Sequence, residues 1–212
     1  VAATAGIGVE EMRGEIDALI ERSDGAADRA RPRLWIDRVF AAKGSGTVVT
    51  GTLVGGALSA DDTVDIAPSD QTARIRSIQT AGSSVERIGP GNRVALNLGG
   101  VDHHELSRGD AVVEPERWHL TDRIDASLDV LASLDHDVSR RGAYVAYIGA
   151  GEHPVKMRVL GTEALAPGTT GAMRLFLPAA LPLLPGDRFI LREWGGDETV
   201  GGGEIIDCAP VL

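Results

Sequence analysis

The sequence predicts an all-β fold: two consecutive Greek-key-type β-barrels preceded by one short helix. Three observations carry this expectation. From Arg33 onward, short runs of β-branched and apolar residues alternate with Gly, Pro, Asp and Ser, with no helical period between them. The good helical period is confined to residues 8–22, where Val9, Met12, Ile16, Leu19 and Ile20 share one face and Glu10, Glu11, Glu15 and Glu21 lie mostly off it. A break at Glu114-Pro115-Glu116-Arg117 divides the strands into two series, each long enough for a small domain.

The elements follow in order. Residues 23–32 have no apolar period and end in Pro32, which reads as a linker. Strands are expected near 33–41, 46–54, 62–67, 72–80, 92–98 and 110–114, and again near 123–131, 143–149, 154–161, 171–177, 187–193 and 203–207. The expected organisation is therefore residues 1–32, a barrel over 33–116 and a barrel over 117–212. Lys43-Gly44-Ser45-Gly46 sits between two strong strands, where glycine suits a tight turn. Gly-rich loops also cradle phosphates, but no Gly-x4-Gly-Lys-Ser/Thr sequence occurs and a strand pattern follows Gly46. Gly201-Gly202-Gly203 reads as a bulge or bend in a late strand.

Composition narrows the function classes. Over 212 residues the net charge is −10, with acidic residues spread along the whole chain, which argues against a dedicated nucleic-acid scaffold but not against a local basic face. The basic residues are nearly all Arg, the type suited to bidentate anion contacts. No apolar run approaches the roughly 18 residues a membrane span needs, and no basic-then-apolar leader opens the chain. The chain opens on Val1 rather than Met, as expected for a piece of a longer protein. Cys208, the single cysteine, fits a reducing compartment and a passive role. His103-His104-Glu105 has metal-like residue types, but neighbouring histidines on a strand would face opposite ways and no further ligand is correctly spaced; His119, His136 and His153 are scattered.

Two stretches, Leu34-Trp35-Ile36-Asp37-Arg38-Val39-Phe40 and Lys43-Gly44-Ser45-Gly46-Thr47-Val48-Val49-Thr50-Gly51-Thr52, resemble the start of the second domain of translational GTPases. The details resemble the selenocysteine-specific elongation factors, as do Gly91-Asn92-Arg93-Val94-Ala95-Leu96-Asn97-Leu98-Gly99-Gly100-Val101 and Leu106-Ser107-Arg108-Gly109-Asp110. Ala143-Tyr144-Val145-Ala146-Tyr147-Ile148-Gly149 and residues 199–207 resemble their third domain. Val1-Ala2-Ala3-Thr4-Ala5-Gly6 loosely resembles the last guanine-contacting motif of a GTPase domain, which would make 8–22 that domain's final helix.

The resemblance implies a cytoplasmic protein that uses GTP and magnesium to carry selenocysteinyl-tRNA to the ribosome. The nucleotide site would precede Val1, and mRNA-hairpin-binding modules would follow Leu212, so this chain alone is expected to be inactive as a GTPase. A selenol is an anion at neutral pH and a serine hydroxyl is not, and the family's pair of arginines that exploits this difference falls on Arg38 and Arg93. Strand alternation independently puts Arg38 in a row with Leu34, Ile36 and Phe40, where a charge needs a partner or an exit to solvent. Arg93 alternates with Ala95 and Asn97, opposite Val94, Leu96 and Leu98, and by spacing alone is a surface residue. Arg140, Arg141, Lys156 and Arg158 either touch the tRNA acceptor arm or are solvated strand ends. The alternative is a β-barrel interaction module of another translational GTPase, of the elongation factor Tu or initiation-factor gamma type, contacting the ribosome, RNA or an exchange factor.

Overall fold

The computed structural model describes residues 1–42, 46–195 and 198–211. Helix α1 (Val9–Arg22) begins after Gly8, with Glu10 and Glu11 in its first turn and Arg22 in its last, so its charges complement the helix dipole. None of its residues is buried, and Met12, Ile16, Leu19 and Ile20 are exposed. The first barrel contains β1 (Arg33–Ala42), β2 (Gly46–Val54), β3 (Thr63–Ala67), β4 (Gln71–Thr80), β5 (Arg93–Gly99) and β6 (Ala111–Val113). The second contains β7 (Thr121–Val130), β8 (Tyr144–Ile148), β9 (Gly151–Val159), β10 (Thr170–Leu181), β11 (Arg188–Glu193) and β12 (Thr199–Asp207).

Both sheets close. The first runs β3-β6-β1-β2-β5-β4 and returns to β3; the second runs β7-β10-β9-β8-β11-β12 and returns to β7. In each, three successive strands pair in turn and an earlier strand returns beside the last of them, which is the Greek-key connection. Closure leaves no long free edge. It also explains why β12 starts earlier than sequence alone suggests. The run Gly201-Gly202-Gly203 lies inside β12, where a Cβ at Gly201 or Gly203 would collide with the Asp129 or Ser127 carbonyl of β7. The three glycines pair in regular register with both neighbours, and the register of β12 slips on either side of them, at Val200 against β11 and at Ile206 against β7, so the bulge expected at Gly201-Gly202-Gly203 falls outside the run. Of the turn expected at Lys43-Gly44-Ser45-Gly46, residues 43–45 lie outside the described residues.

Each barrel has its own apolar core, one around Leu34, Ile36, Leu53, Ile75 and Leu96, the other around Ile124, Leu128, Met173, Leu175 and Leu191. The barrels are joined through β1. Trp35, on the outside of the first barrel, packs against the core of the second. Beside it the Arg33 guanidinium, almost fully buried, donates to both carboxylate oxygens of Asp187 at 2.6 and 2.7 Å and to the Pro182 carbonyl at 2.7 Å. Arg33 also lies 5.1 Å from the ring centres of Trp35 and Trp118. Cys208 packs against the second core, and burial pushes its thiol up to about 11, consistent with the expected passive role.

His136 ties the connection between β7 and β8 to β11. Its Nδ1 is 2.8 Å from Asp135 Oδ1 and its Nε2 is 2.9 Å from Glu193 Oε1. These contacts, that with Asp135 first, raise its pKa above the ordinary value of 6.5. A raised folded-state pKa stabilises the fold fully below the unfolded value and loses that contribution as pH rises through the folded one. The difference in melting temperature between the wild type and His136→Ala is therefore expected to be largest near pH 5–6 and to shrink above neutrality. A difference independent of pH contradicts this.

Candidate functional site

The site lies on the outer face of the sheet formed by β1, β2 and β5. Leu34 and Ile36 fill the first barrel, but the register of β1 against β2 slips between Ile36 and Arg38. Asp37 is the bulged residue, and Val39 resumes the inward position. Arg38 and Phe40 consequently face outward instead of sharing a face with Leu34 and Ile36. The expectation of a charge embedded in an apolar row fails here, because a period of two assumes an unbroken strand. Arg93 lies where alternation placed it, exposed, while Val94, Leu96 and Leu98 point inward.

The bulge brings Asp37 to Arg93. Arg93 Nη1 and Nη2 donate to Asp37 Oδ2 and Oδ1 at 2.5 and 3.0 Å, and the Thr50 hydroxyl donates to Asp37 Oδ1 at 2.6 Å. Arg38, Thr50 and Ala95 stand opposite one another across the three strands. The hydrogen bond from Arg93 holds the Asp37 carboxyl below its usual range against a smaller opposing effect of burial, and the Thr50 hydrogen bond and the Arg93 and Arg38 charges add to it. The same contact with Asp37 raises Arg93. Asp37 is thus an anion at neutral pH that fixes one guanidinium fork, while Arg38, among the described residues, makes no hydrogen bond of its own. The trio carries one net positive charge on an open face, with the Arg38 donors and the remaining Arg93 N–H groups free for an anion.

The other expected residues separate. Arg140, Arg141 and Arg158 line one cleft of about 690 Å³ that also contains Asp137 and Glu163. Lys156 instead borders an apolar cleft formed with Tyr144, Phe176 and Trp194. His103 and His104 do not alternate across a strand. They share a short 3-10 turn, His103–Glu105, with ring centres 3.8 Å apart and with Asp102 and Glu105 forming its capping box. Asp102 Oδ1 accepts from His104 N at 2.9 Å and lies 3.1 Å from His103 Nδ1, so the cluster is occupied by its own turn.

Comparison with known proteins identifies the family. The model of elongation factor Tu domain 2 matches residues 46–113. The selenocysteine-specific elongation factor of Desulfomicrobium baculatum is 36% identical over 98% of the chain and 33% of its own length, and that of Haemophilus influenzae is 32% identical over 97% and 32%. A crystal structure of a bacterial selenocysteine-specific elongation factor superposes with a TM-score of 0.81 at 25% identity, covering 96% of this chain and 32% of that one. The chain belongs to the selenocysteine-specific elongation factor family. It spans about a third of the length of the curated relatives it matches.

For a selenocysteine-specific elongation factor chain, the sequence pointed to Arg38 and Arg93 but missed Asp37 and Thr50, which fix Arg93 in place. The available signal was the adjacent Asp37-Arg38 pair: in an unbroken strand such neighbours face opposite ways, so bringing both charges to one surface takes a bulge.

Proposed function

We propose that this chain is the cargo-holding part of a GTP-dependent factor that delivers selenocysteinyl-tRNA to the ribosome, with Arg38 and Arg93 recognising the selenol anion. The observation that carries the reading is Arg93 tethered by Asp37 beside an Arg38 that, among the described residues, makes no hydrogen bond, on one exposed face. An ionised selenol gains charge-assisted hydrogen bonds from such a pair, whereas a serine hydroxyl gains only neutral ones. The three arginines of the second-barrel cleft are suited to phosphates of the acceptor arm, a role that Lys156, on its apolar cleft, does not share.

In this reading residues 1–32 end the GTPase domain, and residues 33–116 and 117–212 are its two cargo-binding barrels. The uncovered apolar residues of α1 support that division, since such a face needs a neighbour. GTP and magnesium would act in the GTPase domain. The residues present do not suit a nucleotide phosphate, because Gly46 leads into β2 and not into a helix N-terminus. Binding of an mRNA hairpin would fall to other parts of a cytoplasmic protein.

A second reading, an interaction module shared with elongation factor Tu, draws on the Streptomyces avermitilis elongation factor Tu 2, which is 31% identical over 81% of the chain. The apolar cleft at Tyr144, Phe176 and Trp194 is the surface that would serve it.

The test of the first reading is pH. In the full-length protein, the preference for selenocysteinyl-tRNA over seryl-tRNA is expected to shrink as pH falls through the titration of the selenol. A preference that stays constant across that range contradicts recognition of the anion.

A further inference from the structure

The face that carries Arg38 and Arg93 holds a third arginine, which strand alternation puts there: Ala73 and Ile75 are buried and Arg76 between the inward positions is exposed. In β4, Ile75 pairs with Leu98 and Ser77 with Asn97, leaving Arg76 unpaired between them. Arg76 keeps the outward side set by Ile75, and the bulge resets the phase after it so that Ile78 again points inward, whereas in β1 the bulge itself turns Arg38 outward. The Arg76 guanidinium lies across Gly99 of β5 and reaches towards Gly46 at the start of β2. A Cβ at Gly99 would stand 2.5 Å from Arg76 Nε, and one at Gly46 would stand 3.6 Å from Nη1. Glycine at 99 thus makes the floor on which the arginine rests. Among the described residues Arg76 has no hydrogen-bond or ion-pair partner.

Register turns the face into a track. Arg93 lies beside Thr52, the next outward row is Arg38, Thr50 and Ala95, the next is Phe40, Val48 and Asn97, and Gly46 lies one row further, under Arg76. Outward rows are about 7 Å apart, so the Arg38 and Arg76 positions are separated by about 14 Å. Between them Phe40 is 44% exposed and Val48 and Asn97 are half-buried. A cation at one end, an anion-binding pair at the other and a largely apolar strip between them match the span from an aminoacyl side chain, past a nucleoside, to a phosphate.

We propose that Arg76 binds a backbone phosphate of the single-stranded 3′ end of the tRNA whose aminoacyl group lies against Arg38 and Arg93. This rests on the function proposed above. The test is equilibrium binding of selenocysteinyl-tRNA and seryl-tRNA to the full-length protein at a series of KCl concentrations. Arg76→Ala is expected to weaken both about tenfold, leaving their ratio unchanged. It should also make the plot of log K against log[KCl] shallower by about 0.7, the contribution of one phosphate on a single strand. Arg76→Lys keeps the charge and should restore the slope. Gly99→Ala keeps the charge but displaces the guanidinium, and should weaken both tRNAs in the same way as Arg76→Ala. An Arg76→Ala protein with unchanged affinity and slope overturns the proposal, as does one whose selenocysteine-to-serine ratio changes while its slope does not. Failure of the pocket reading is distinct: it would show as Arg38→Ala weakening both tRNAs equally, whatever Arg76 does to the slope.

Discussion

Replacing Arg33 with alanine is expected to cost about 3 kcal/mol of folding stability, among the largest losses a single substitution in this chain can cause. The side chain is 8% exposed and its partner Asp187 is 19% exposed, so the substitution leaves a carboxylate in the seam without its two short hydrogen bonds. The Pro182 carbonyl loses a donor and the Trp35 and Trp118 rings lose a stacked cation at the same time. Arg33→Lys is expected to recover only part of the loss, because an ammonium cannot serve both carboxylate oxygens and a carbonyl in one plane. Urea unfolding followed by tryptophan fluorescence checks this, since Trp35 and Trp118 sit at the seam. A change of less than about 0.5 kcal/mol, the range of ordinary surface substitutions, would show that the pair is not structural. The consequence reaches the candidate site: β1 carries Arg33 and Trp35 at the seam and Asp37 and Arg38 on the outer face, so the strand that joins the barrels also carries half of the proposed site.

The second large effect is expected at the proposed site. Arg38→Ala or Arg93→Ala in the full-length protein should weaken binding of selenocysteinyl-tRNA about tenfold or more and that of seryl-tRNA much less, because only the first ligand presents an anion to the guanidinium. The two substitutions differ in their side effects. Arg38 has no hydrogen-bond partner among the described residues, so its removal leaves the rest of the face intact. Removing Arg93 leaves Asp37 ionised beside Thr50 with no counter-ion in hydrogen-bond reach, and the uncompensated carboxylate itself repels a selenolate. Arg93→Ala should therefore discriminate worse than Arg38→Ala.

The barrels were legible because strand alternation and glycine punctuation are local. Leu34, Ile36, Val94, Leu96 and Leu98 point inward as their spacing implies. What escaped were the register slips. The turn of Arg38 onto the face of Asp37 and the start of β12 are set by the partner strand across a closed sheet, which no period in one segment encodes. Arg93 was found through resemblance and Asp37 was not found, although the two form one ion pair across 56 residues of sequence. The histidines at 103 and 104 were assigned alternation where the chain makes a capped turn, because the Asp102–Glu105 capping box competes with the strand pattern.

Arg38 and Arg93 are proposed to select cargo by charge. The most direct measurement is the ratio of Kd for seryl-tRNA to Kd for selenocysteinyl-tRNA, taken for the full-length wild type and for the Arg38→Ala/Arg93→Ala double variant under the same salt and pH. The ratio is expected to collapse towards one, with most of the change in the selenocysteinyl-tRNA value. Equal weakening of both tRNAs, with the ratio preserved, would contradict it.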